Sequence, residues 1–133
     1  MNRYWSEVRI VVNVGTGLKY RFWKGVNLVE KEEFLEKLSI LIRNENFSEI
    51  DKIIKKFREE NNFEMISLSS QAFINLYEYE EAIKILDTIK NEYSENGEFC
   101  IRYAMALYNS NREDKALEWF KKAKKKGIKE IDE

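Results

Sequence analysis

Residues 97–127, GEFCIRYAMALYNSNREDKALEWFKKAKKKG, decide the fold of this 133-residue chain. Ile101, Ala104, Met105, Leu107 and Tyr108 recur at helical spacing, the polar run NSNRED at 109–114 interrupts them, and Ala116, Leu117, Trp119, Phe120 and Ala123 resume the pattern. Such a pattern predicts two helices joined by a short turn. Ala104 and Ala116 fall where the two would approach most closely, and a large side chain at either place would force them apart.

Sliding the chain by 34 positions lays residues 100–125 on residues 66–91. Ile66 then meets Cys100, Ser70 meets Ala104, Phe73 meets Leu107, Tyr79 meets Glu113, Ala82 meets Ala116, Leu86 meets Phe120 and Ile89 meets Ala123. A fixed period of this size marks stacked units that cannot bury their apolar faces alone. An ordinary helical bundle also places apolar residues at helical spacing. What separates this chain from one is that small, aromatic and turn residues keep a common register. A more worn unit precedes, KEEFLEKLSILIRNENFSEIDKIIKKFREEN at 31–61, with Phe34, Leu38 and Leu41 on one helix and an Asn-rich break at 44–46. Phe47, Ile50, Ile54 and Phe57 follow on the next helix. Ile50 aligns with Ala82 there, two residues short of the period.

On these residues the segment resembles the tetratricopeptide repeat family. Tyr103 and Ala104 stand at the seventh and eighth positions of its 34-residue motif, Leu107 at the eleventh, Ala116 at the twentieth, Phe120 at the twenty-fourth and Ala123 at the twenty-seventh. Ile66 and Cys100 replace the usual tryptophan, and the closing proline is absent. The resemblance covers about residues 31–130 and implies a mainly α solenoid of about three helix pairs in a 31–133 repeat domain. It also implies a ligand groove lined by the first helix of each pair. Groove positions are Ser67, Leu68, Gln71, Ile74 and Asn75 in one unit and Ile101, Arg102, Met105, Tyr108 and Asn109 in the next. Asn75 and Asn109 recur at one place, where an amide could hydrogen-bond an extended peptide or simply end a helix. A family subgroup clamps the C-terminal carboxylate of heat-shock chaperones. Arg102 matches its arginine, but Glu98, Leu68, Leu35 and Ser39 occupy the other clamp positions and do not complete it.

Residues 1–30 leave the pattern and read as an N-terminal β-hairpin. Val8, Ile10, Val12 and Val14 alternate with Arg9, Val11 and Asn13, and after Gly15-Thr16-Gly17 the residues Leu18, Tyr20 and Phe22 alternate with Lys19, Arg21 and Trp23. A three-residue loop ending in Gly17 pairs Val12 with Tyr20 and gathers the even-numbered apolar residues on one face. A lone two-stranded hairpin is marginal in water, so that face is expected to pack on the helices, on a partner or on a second copy in a homodimer. The other face presents Arg9, Lys19, Arg21 and Trp23, a mixture that nucleic-acid binding could use. The whole chain's net charge of −1 favours a plain hairpin surface instead.

Composition narrows the function classes. Charged residues make up 35% with near-zero balance, and the chain holds no apolar stretch near 18 residues, so no membrane span is expected. Cys100 alone cannot form an internal disulfide, which points to a reducing, cytoplasmic setting. No histidine is present, Cys100 falls at a packing position, and the carboxylate runs sit at helix ends; no enzyme activity, metal or cofactor is expected. The lysines at 121, 122, 124, 125 and 126 suit the negative end of a helix dipole and the outer face of a terminal unit. Gly97 and Gly127 are read as helix terminators.

The expectation is a non-catalytic adaptor that binds a protein segment in a repeat groove. An immunity-protein or antitoxin-like inhibitor, or a chaperone acting by occlusion, is the alternative. Nucleic-acid binding through the hairpin is the second.

Overall fold

A computed structural model describes residues 28–127; the expected hairpin, with Arg9, Lys19, Arg21 and Trp23, lies outside the described residues. The described chain is all α. Its elements are α1 (Leu28–Arg43), α2 (Phe47–Glu59), α3 (Phe63–Asn75), α4 (Tyr79–Asp87), the single turn α5 (Lys90–Tyr93), α6 (Gly97–Asn109) and α7 (Glu113–Lys125). They pair as three hairpins, α1–α2, α3–α4 and α6–α7. The first helix of each later hairpin also packs on the hairpin before it, so one core runs through all three.

Recurring chemistry ends these helices. Glu45, Asn61, Tyr77, Asn111 and Gly127 all have positive φ, between 54° and 93°. After Glu45, Asn61, Tyr77 and Asn111 the next amide reaches back to a carbonyl five residues earlier: Asn46 to Leu41, Asn62 to Phe57, Glu78 to Phe73 and Arg112 to Leu107, at 2.8–2.9 Å. This closure satisfies carbonyls that a helix end otherwise leaves bare. Glycine and asparagine accept the left-handed conformation readily, whereas Glu45 and Tyr77 adopt it against a Cβ clash. At the start of α3 and of α6, Asn62 and Asn96 accept the amides of Met65 and Phe99. Gly97 therefore opens α6 instead of ending a helix, because its neighbour Asn96 supplies the cap. Gly127, at φ 93°, does follow α7 as its terminator.

The worn period has a structural cause. Glu45, Asn61 and Tyr77 succeed one another every 16 residues, as do Asn111 and Gly127. Only the link from α4 to α6 breaks the interval. There α4 stops at Asp87, the Thr88 hydroxyl donates to the Ile85 carbonyl at 2.6 Å, and α5 adds a turn. The two extra residues between second and third units are spent in that link.

Side-chain size sets how close each hairpin packs. Ala104 and Ala116 are wholly buried, and α6 and α7 make the most extensive contact of any pair. Leu38 and Ile50 occupy the same places in the first hairpin, and its helices contact less than those of either later hairpin. Bulk at the crossing keeps helix axes apart. Each buried Leu, Ile or Phe contributes about 1.5–3 kcal/mol, so these residues carry most of the fold. An aromatic file fastens the second hairpin to the third. Phe63 meets Tyr93 at 6.1 Å, Tyr93 meets Phe99 at 6.3 Å, Phe99 stacks on Tyr103 at 5.5 Å, and Trp119 stands edge-on to Tyr103 at 4.8 Å.

Candidate functional site

The most unusual chemistry in the described core is a line of polar side chains between α3 and α6. Arg102 on α6 is 2% exposed; its Nη1 donates to Ser67 Oγ at 2.7 Å and its Nε to Gln71 Oε1 at 3.3 Å. Gln71 Nε2 donates in turn to Asn75 Oδ1 at 2.9 Å, which brings the line to the half-buried end of α3. A buried guanidinium is costly unless its donors are met, and a one-turn spacing on α3 supplies Ser67, Gln71 and Asn75 on the same side. Nearby hydroxyls satisfy themselves within the helix: Ser69 donates to the Met65 carbonyl at 2.7 Å and Ser70 to the Ser67 carbonyl at 2.6 Å. That is why a serine-rich stretch can be buried.

The other sequence-derived positions divide by depth. Leu68, Ile74 and Ile101 belong to the hydrophobic core, and Met105 packs against it. Tyr108 is 50% exposed and lies edge-on to Phe120 at 6.4 Å. Asn109 is exposed, and its amide donates to the Met105 carbonyl at 2.8 Å. Asn75 and Asn109 thus hold the same place with different bonds. The residue one turn earlier decides it, since Gln71 offers a donor where Met105 offers none.

Several ties between hairpins went unread in the sequence. Buried Lys31 on α1 pairs with Glu64 on α3 at 2.8 Å. Arg112 grips Glu80 with both nitrogens, at 3.0 and 3.2 Å. The Tyr103 hydroxyl donates to Asp87 Oδ1 at 2.6 Å and accepts from Lys90 Nζ at 3.4 Å. Burial, and then that carboxylate, push the Tyr103 hydroxyl far above the ordinary phenol range. The Lys31, Arg112 and Arg102 contacts join residues 31 to 35 apart. A search for complementary side chains one period apart would have found them.

Elsewhere the polar groups do not converge. A cleft of about 700 Å³ between α2 and α4 alternates Asp51, Glu59 and Glu81 with Lys55, Arg58 and Lys84. A second, of about 510 Å³, lies beside α7, where Lys122 and Lys126 hold Glu95 at 2.9 and 2.8 Å. Hydrogen bonds from Lys126 and Lys122 bring the Glu95 carboxyl down to about 2. Cys100 is buried; its thiol, 3.2 Å from the Ser94 carbonyl, is raised chiefly by burial, the opposite of an activated nucleophile. Among the described residues no group of three or more Cys, Asp or Glu is placed to hold a metal ion, and no helix is long and apolar enough to cross a membrane. Comparison with known proteins finds no matching family model, no matching curated protein and no matching solved structure.

Proposed function

We propose that the chain is a non-catalytic protein-binding module whose three hairpins are tetratricopeptide-like units, with the first helices α1, α3 and α6 providing the binding face. The observation that carries this reading is the line Arg102, Ser67, Gln71 and Asn75, which crosses from one unit to the next along those helices. Repeat geometry supports it: turns of one design recur every 16 residues on either side of the link from α4 to α6, and the motif positions Ile66, Ser70, Cys100 and Ala104 are buried as units of this kind require. The partner is an extended or helical protein segment. It would take hydrogen bonds from Asn75 and Asn109 and apolar contact from Tyr108 and Met105, while the buried line below keeps α3 and α6 in register. The adaptor role explains the chain without any reacting group. An inhibitor acting by occlusion would use the same face.

The test is affinity capture from cells that make the protein, with quantitative mass spectrometry, comparing the natural chain with Asn75→Ala/Asn109→Ala. Loss of one specific partner, with the helical spectrum unchanged, is the expected result. Equal recovery by both chains contradicts the reading.

A further inference from the structure

Ten consecutive residues of α3, Met65 to Ile74, are buried, none of the side chains in the core among them more than 7% exposed. At 3.6 residues per turn they point in every direction around the helix. The second helices show what cover from one side gives: Ile50 and Ile54 are buried in α2, Ala82, Ile83 and Leu86 in α4, and Ala116 and Ala123 in α7. α3 lies between α1 and α6 and packs on α2 and α4, and these neighbours account for its other sides. None of them covers the groove side. Yet Leu35, Ser67 and Ile101, which hold one groove place on the three first helices, are all buried, and so are Ile42 and Ile74 at a second place. Tyr108 holds that second place on α6 and is half exposed, so the cover stops short of the end of α6.

One copy alone buries these residues, so the cover belongs to the chain outside residues 28–127. Two stretches are available. The six residues after Gly127 leave from α7, a second helix, and reach about 20 Å at full extension. Four of them are Lys129, Glu130, Asp132 and Glu133, poor cover for isoleucine. Residues 1–27 instead run directly into α1, a first helix. Their expected hairpin gathers the even-numbered apolar residues from Val8 to Phe22 on one face and Arg9, Lys19 and Arg21 on the other. A strand such as Val8 to Val14 is about 23 Å long. Three helices side by side span about 16–20 Å between their outer axes. The dimensions agree.

We propose that residues 1–27 dock across α1, α3 and the first half of α6 with their apolar face inward, so that the chain fills most of its own groove. This rests on the assignment of α1, α3 and α6 as the binding face and narrows it. The partner is left the rim where burial gives out, at Asn75, Met105, Tyr108 and Asn109. Docking covers two apolar faces at once, and a hairpin that is marginal alone gains the layer it lacks. Arg9, Lys19 and Arg21 stay in water. The bonds of Arg102 follow as well, because a covered guanidinium must find its acceptors inside, and Ser67 and Gln71 supply them.

Photo-crosslinking of the full chain with p-benzoylphenylalanine in place of Tyr20, its adducts mapped by mass spectrometry, tests this. Adducts within one chain to α1, α3 or α6 are expected. The same replacement at Arg21, on the outward face, is expected to lose them. Phe22 serves in place of Tyr20 if that variant fails to fold. Adducts confined to α2, α4 or α7, adducts between two chains, or none from a folded chain overturn the proposal. So do equal adducts from positions 20 and 21. Partner capture by the natural chain and by Asn75→Ala/Asn109→Ala is read separately. Equal recovery alongside groove adducts contradicts the binding reading alone, and loss of capture without groove adducts contradicts the docking alone.

Discussion

Single residues at helix ends set much of the local geometry, and their effects are separable. Asn62 and Asn96 make cap hydrogen bonds, whereas Asn46, at the start of α2, makes none through its side chain. Asn96→Ala should cost about 1 kcal/mol in urea unfolding, and Asn46→Ala clearly less. Glu45 holds φ 55° with nothing to gain from its side chain there, so Glu45→Gly should stabilise by up to about 1 kcal/mol even after glycine's greater unfolded-state freedom. Ala116 sits at a fully buried crossing, and Ala116→Leu should cost about 1–3 kcal/mol by prising α6 from α7. The sequence announced that crossing, because two alanines in register had no other evident purpose. It did not announce the left-handed glutamate and tyrosine, since neither residue type favours the conformation and only the recurring interval betrays them.

Elements were the most legible scale. Asn-rich and polar breaks at 44–46 and 109–114 bracket the observed turns, because helical spacing stops where side chains begin to compete for the backbone. The one-turn α5 escaped notice, being too short to carry a period of its own. The role of Arg102 was half legible: its place on the first helix could be counted, but its burial and its bonds to Ser67 and Gln71 depend on how α6 sits on α3. Arg102→Leu should cost about 1–3 kcal/mol, with Ser67 and Gln71 left without their donor, and should loosen α6 against α3 in hydrogen exchange. The tyrosines between hairpins give a pH signature. Burial, followed by the charges of Glu64 and Glu98, pushes Tyr93 up to about 12, and Tyr103 is raised as well. Both phenols are held neutral in the folded state, so their contribution is complete below the ordinary value of 10 and is lost as pH climbs through the raised values. Phenolate absorbance should therefore omit Tyr93 and Tyr103 until alkaline unfolding exposes them. A smooth titration of every tyrosine near 10 would show that the aromatic file is not packed.

At the scale of the molecule, the hairpins are held together by side chains that reach 31 to 35 residues along the chain, and the proposed binding face spans more than one hairpin. Lys31 with Glu64, Glu80 with Arg112 and Ser67 with Arg102 each tie one hairpin to the next. The helix pairs could be read from one chain because helical spacing recurs between polar breaks, whereas the ties across them show only when complementary side chains 31 to 35 residues apart are compared, because their types differ at each step. Glu95 offers a check on charge at this scale. Its carboxyl, held low by Lys126 and Lys122, contributes stability that is present above the ordinary carboxylate range and is lost as pH falls toward about 2. The group is exposed, so added salt should move its titration back toward the ordinary range. The central claim, that α3 and α6 form the face receiving a protein segment, is tested most directly by hydrogen exchange with and without the captured partner. New protection is predicted at the ends of α3 and α6, around Asn75, Met105 and Asn109; protection confined to the cleft between α2 and α4 would contradict it.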